Sequence, residues 1–135
     1  MEKPAIPTVS PEEMADFKKS RQRIVENAVV KVLKNQEFQK IFGDKSEDVL
    51  RSGLNFTAET LESIMAVSLP EIITQQLSWG NDYLPGIGIP AEMVLHNFEF
   101  FAESMQEILP GESHPALAVW MQMVIEKQRD FAKPA

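Results

Sequence analysis

Residues 84–109, LPGIGIPAEMVLHNFEFFAESMQEIL, constrain the fold more than any other part of the chain. Gly86, Gly88 and Pro85 fall within the stretch Asn81–Ile89 and do not sit comfortably inside a helix, so regular structure must break there. Pro90 then suits the first turn of a new helix. That helix carries Val94, Phe98, Phe101, Met105 and Ile108 in one stripe, with Met93, Asn97 and Phe100 in a second row beside it. Large apolar side chains on more than one face require more than one neighbour, and that means several packed helices. The same helix bears His96, one of only 2 histidines, which makes it the first place to look for a haem ligand, a metal ligand or a catalytic base.

Start signals elsewhere agree with the hydrophobic period. Ser10-Pro11-Glu12-Glu13 is a capping box with proline at the first helical position. Phe17, Ile24, Ala28 and Val32 follow at helical spacing, widened by Val25 and Val29. A short helix from Gln36 to Phe42 presents Phe38, Ile41 and Phe42 and ends at Gly43. Asp44-Lys45-Ser46-Glu47 then caps a helix with Val49, Leu50 and Leu54, expected to pause near Asn55-Phe56-Thr57 and to continue through Leu61, Ile64 and Met65. Ser68-Leu69-Pro70-Glu71 reads as a third box, opening a helix with Ile72, Ile73, Leu77 and Trp79. Leu109-Pro110-Gly111 closes the aromatic helix. Ser113 and Pro115 open the last one, whose stripe is Leu117, Trp120 or Met121, Val124 and Phe131. No strand-like alternation and no long repeat interrupts this order. The expectation is an all-α bundle of six to seven helices, with residues 1–9 a flexible arm and 10–132 one domain.

Composition excludes several classes of function. With 135 residues the chain buries a core of its own, and with 0 cysteines it has no disulfide, Fe–S cluster or thiolate site. A net charge of −7 opposes nucleic acid and anionic membranes. The opening MEKPAIPTVSPEE has neither the basic start nor the apolar core of a signal peptide, and no apolar run reaches the roughly 18–20 residues of a membrane span. A cytoplasmic protein is expected.

Catalytic signatures are incomplete. There is no HExxH, no pair of ExxH motifs and no GxSxG elbow, and GIGIP lacks the GK[ST] of a phosphate loop. His96, Glu99 and Glu103 fall one turn apart and could share a face, but an acidic outer face accounts for them as well. His114, beside Pro115, is expected to be solvent-exposed or to cap the last helix. The 7 methionines and 8 phenylalanines supply an adaptable interior, suited to ordinary packing or to an apolar pocket. The protein is read as a non-enzyme.

The segments LNFTAETLESIM, QQLSWGNDYLPGIGIPAEMVLHNFEFFAESMQEILP and LAVWMQMVIEKQ together resemble the non-haem globin sensor domains, across roughly residues 11–131. That family includes the amino-terminal domains of stressosome sensors and the stand-alone sporulation-inhibitory sensor proteins of bacilli. The resemblance rests on helix order and on the pattern Trp79…Gly86-Ile87-Gly88…Asn97. It implies a globin-like fold without haem, because Pro70–Tyr83, in the place of the helix that carries the proximal histidine in true globins, holds no histidine. It further implies a signal-sensing domain that holds an apolar ligand such as a fatty acid in the vacant haem space, and a signalling partner. Leu54, Leu61, Ile64, Met65, Ile73, Leu77, Val94, Phe98, Phe101 and Val124 would form the wall, with His96, Asn97 and Arg51 as polar groups. A homodimer through the last two helices would use the second row of the aromatic helix together with Trp120, Met123 and Lys127. A haem-binding globin using His96, and an adapter with a filled core, are the alternatives.

Overall fold

The computed structural model describes residues 6–133, and every regular element among them is helical. In chain order these are α1 (Pro11–Lys34), α2 (Gln36–Phe42), α3 (Ser46–Val67), α4 (Glu71–Tyr83), α5 (Ala91–Ile108) and α6 (Pro115–Ala132). Short 3-10 turns at Gly43–Lys45 and Leu84–Ile87 precede α3 and follow α4. α2 is a connector of 7 residues; the others are long. Among the described residues no helix is long and apolar enough to cross a membrane.

Ser10 caps α1 as the box requires: its hydroxyl accepts from the Glu13 N–H at 3.1 Å, a contact of the kind that contributes about 1 kcal/mol. The other half of the box goes elsewhere. The Glu13 carboxylate reaches across to α6 and accepts from the N–H groups of Ala116 (3.1 Å) and Leu117 (3.4 Å). One turn of sequence therefore supplies the caps of two helices.

Other boundaries differ from the sequence reading. Ser68 ends α3 instead of opening α4: it adopts a left-handed φ of 54°, and α4 follows Pro70 with no side-chain cap. Leu69, directly before a proline, resists the helical region, so the chain leaves the helix at Ser68. α3 has no capping box either. Gly43, at φ 57°, turns α2 into the 3-10 segment, and the Ser46 hydroxyl donates to the Gly43 carbonyl at 2.7 Å. The pause expected at Asn55–Thr57 is absent, because the Thr57 hydroxyl donates back to the Gly53 carbonyl and is satisfied inside the helix. Of the expected arm, residues 1–5 lie outside the described residues. Its remainder is anchored at two points, with Ile6 and Thr8 exposed: Val9 is buried, and the Pro7 carbonyl accepts from the Trp120 indole N–H at 2.8 Å.

α1 is the central rod. It packs along α3 on one side and α5 on the other, and α5 packs along α6. The stripe Phe17, Ile24, Ala28 and Val32 is buried between them. Ser104 donates to Asn27 at 2.8 Å, and Lys31 bonds to Glu103 and Glu107, pinning α1 to α5. α4 stands apart. It meets α6 and its own following turn but does not pack along α3, its predecessor in the chain. Phe131, expected in the α6 stripe, is exposed near the end of that helix.

Candidate ligand cleft

Because α3 and α4 diverge, an apolar cleft of about 280 Å³ opens between them. Leu54, Leu61 and Ile64 of α3 face Ile73 and Leu77 of α4 across it. Val94 and Phe98 of α5 and Met121 and Val124 of α6 complete the interior. Each of these helices turns an apolar stripe inward at the 3.6-residue period, and the divergence of α4 leaves part of that inward surface unfilled. The volume lies just below the roughly 300–1,000 Å³ typical of small-molecule sites.

Phe56, Trp79, Tyr83 and Ile87 line the cleft and are themselves open to solvent, Trp79 to 59%. Trp79 and Tyr83, one turn apart on α4, stack with ring centroids 5.5 Å apart and planes within 8°. They form an aromatic rim.

The α4 wall is held by one polar lock. The Asn81 amide donates to Gln128 Oε1 at 2.8 Å and to the Leu77 carbonyl at 2.7 Å. The Gln128 amide returns a bond to Asn81 Oδ1 at 2.9 Å and another to the Ala91 carbonyl at 3.0 Å. Gln128 is wholly buried, so the end of α4, the start of α5 and the carboxyl-terminal part of α6 are joined at one point.

Of the residues assigned to a ligand wall, Leu54, Leu61, Ile64, Ile73, Leu77, Val94, Asn97, Phe98 and Val124 line this cleft. Met65, Phe101 and His96 do not. Met65 and Phe101 are buried in filled core, and adjacent Ile64 takes the place on the wall. His96 is half-exposed, with Nδ1 3.1 Å from Glu99 and Nε2 3.7 Å from Glu92. Together with Glu37, Glu92 and Asn97 it borders a second, more polar recess between the α1–α2 junction and the start of α5. Asn97 and Phe38 line both spaces and are the partition between them.

Arg51 lies off the cleft. Its guanidinium donates to Glu26 at 2.7 and 2.9 Å and to Glu47 at 3.2 Å. The hydrogen bond from Arg51 holds the Glu26 carboxyl below the usual carboxylate range, and the bonds to Glu26 and Glu47 raise the guanidinium further. Glu103 turns to Lys31 rather than to His96, and among the described residues no group of three His, Asp or Glu side chains could hold a metal. His114 is neither exposed nor a side-chain cap: it is largely buried, with Nε2 2.9 Å from Asp16, and ties the start of α6 to α1.

The rim was missed by sequence reading. Its one signal was the aromatic pair Trp79 and Tyr83 at helical spacing, off the Ile73–Leu77 stripe. Thr60 and Gln76, polar groups on the two walls, gave none. No protein-family model, no curated protein and no solved structure matches this chain.

Proposed function

We propose that this chain is a non-enzymatic sensor or regulatory domain, built on a globin-like helix order without haem, that holds an apolar ligand between α3 and α4. The observation that carries the reading is the cleft itself: an unfilled apolar space with an open aromatic mouth and a few polar groups, in a small domain that buries its other stripes well. Its position agrees with the resemblance, since one wall is α4, the element in the place of the proximal-histidine helix. Haem ligation by His96 draws no support, because that side chain faces Glu92 and Glu99.

The mechanism is differential binding. A ligand that fits one spacing of α3 and α4 favours that spacing, and α4 passes the change to α6 through Asn81 and Gln128. α5 and α6 then present it to a second copy of the chain or to a signalling protein in the cytoplasm. Trp120, buried to 1% exposure and bonded to Pro7, is not part of that surface; Val119 and Phe131 are exposed apolar groups of α6 that are.

Native mass spectrometry of the purified protein, together with Trp79 fluorescence on addition of an apolar probe, tests the reading. Trp79 sits at the mouth and Trp120 in the core, so Trp79→Phe separates the two signals. Retained or added apolar molecules that quench Trp79 are expected. An empty protein whose Trp79 emission ignores every probe counts against it.

A further inference from the structure

We propose that the cleft selects uncharged ligands and excludes fatty carboxylates and other anions. The proposal rests on the ligand-holding reading above and deepens it by naming the class of molecule held.

The walls offer no positive charge to an anion. Among the described residues no lysine, arginine or histidine lines the cleft. Between Arg51 and Lys127 the chain contains no basic residue other than its two histidines, whereas Glu59, Glu71 and Asp82 fall on the two helices that wall the space, outside the lining itself; Glu62 of α3 is paired with Arg21 of α1 at 2.9 Å. Arg51 is committed to Glu26 and Glu47. The helix dipoles give no substitute. The carboxyl end of α4 reaches the cleft at Tyr83 and Leu84 and carries partial negative charge. The start of α5 already has Glu92 in its first turn, and the N–H groups of Met93 and Val94 donate to the Pro90 carbonyl. A carboxylate moved into this space would lose water and gain no counter-charge, which weakens binding of the ionised form.

A neutral head group meets better partners. Asn81 is committed to Gln128, and the Thr57 hydroxyl to Gly53. Thr60, Gln76 and Asn97 remain on the walls, and each offers both a donor and an acceptor. That set suits a hydroxyl, ester, amide or ketone on an apolar body. A volume of about 280 Å³ suits one medium chain or ring system and not a docked helix.

The test titrates the purified 135-residue protein with 1-decanol and with decanoate at about pH 7.5, where the acid is ionised, and reads Trp79 emission and heat. Decanol is expected to bind about tenfold or more tightly than decanoate, a difference of about 1.4 kcal/mol. Gln76→Lys, at an exposed wall position, should shift the preference toward decanoate, raising its affinity relative to that of decanol. Decanoate binding as tightly as decanol to the parent protein overturns the selection but leaves the ligand-holding reading intact. Failure of Gln76→Lys to favour decanoate overturns the electrostatic cause. If neither compound binds, both readings fall together.

Discussion

Asn81 and Gln128 hold each other through two hydrogen bonds, at 2.8 and 2.9 Å, and this pair fixes the α4 wall of the cleft to α6. α4 is otherwise the least supported long helix, since it does not pack along α3. The apolar stripe at Ile73 and Leu77 gives it burial without direction; the amide pair gives it a position.

Removing one partner should therefore cost more than removing both. Asn81→Ala leaves the buried Gln128 amide short of two bonds, and about 2–3 kcal/mol of stability should be lost. The double variant Asn81→Leu with Gln128→Leu should recover part of that loss, because no polar group is stranded. Urea midpoints at constant m-value for the parent, Asn81→Leu, Gln128→Leu and the double variant complete a double-mutant cycle that isolates the coupling. Strictly additive losses would show that the pair does not act as a unit.

Glu13 is expected to stabilise α6 although it belongs to α1. Glu13→Ala should cost about 1–2 kcal/mol, because the N–H groups of Ala116 and Leu117 lose their acceptor and the start of α6 its negative charge. Glu13→Gln keeps an acceptor and should cost less. Amide hydrogen exchange at Ala116 and Leu117 should accelerate in the alanine variant ahead of global unfolding.

Acid should weaken the contact between α1 and α3. The Glu26 carboxyl is held below its ordinary pKa by Arg51, so its contribution is complete above that ordinary value, about 4, and is lost as pH falls through the lowered one. Both side chains are partly exposed, which keeps the effect small and salt-sensitive. The stability gap between the parent and Glu26→Gln should be constant at neutral pH and close at acid pH. A gap independent of pH would assign the effect to packing. Lys31 has the opposite sign: its bonds to Glu103 and Glu107 raise its pKa, and their contribution disappears only as pH rises through that value.

Helix starts with a proline or a true cap were legible in the sequence, and Ser10, Pro11, Pro90 and Pro115 stand at or beside them. Ser68 misled because a serine before Leu-Pro-Glu fits both an opening cap and a left-handed helix end; the residue before proline decides between them. The site was legible only as a stripe. Periodicity identifies inward residues, so Ile64 and Met65, or Phe98 and Phe101, look alike, although one of each pair meets the cleft and the other filled core. Where a core is hollow depends on the divergence of α3 from α4, which is set by α6 and the Asn81–Gln128 pair, far away in sequence.

Gly53 offers a way to block the cleft without unfolding the protein. It lies within α3 on the cleft wall, and a Cβ placed on it would meet nothing within 4 Å. Gly53→Ala should therefore raise stability by about 0.5–1 kcal/mol, the usual gain for relieving a helical glycine. Gly53→Leu should keep most of that gain and project its side chain into the space a ligand needs. An apolar probe that quenches Trp79 in the parent should then bind the leucine variant at least about tenfold more weakly, a loss of about 1.4 kcal/mol. The alanine variant should bind as the parent does. Unchanged probe affinity in a stably folded Gly53→Leu protein would move the binding site away from the space between α3 and α4.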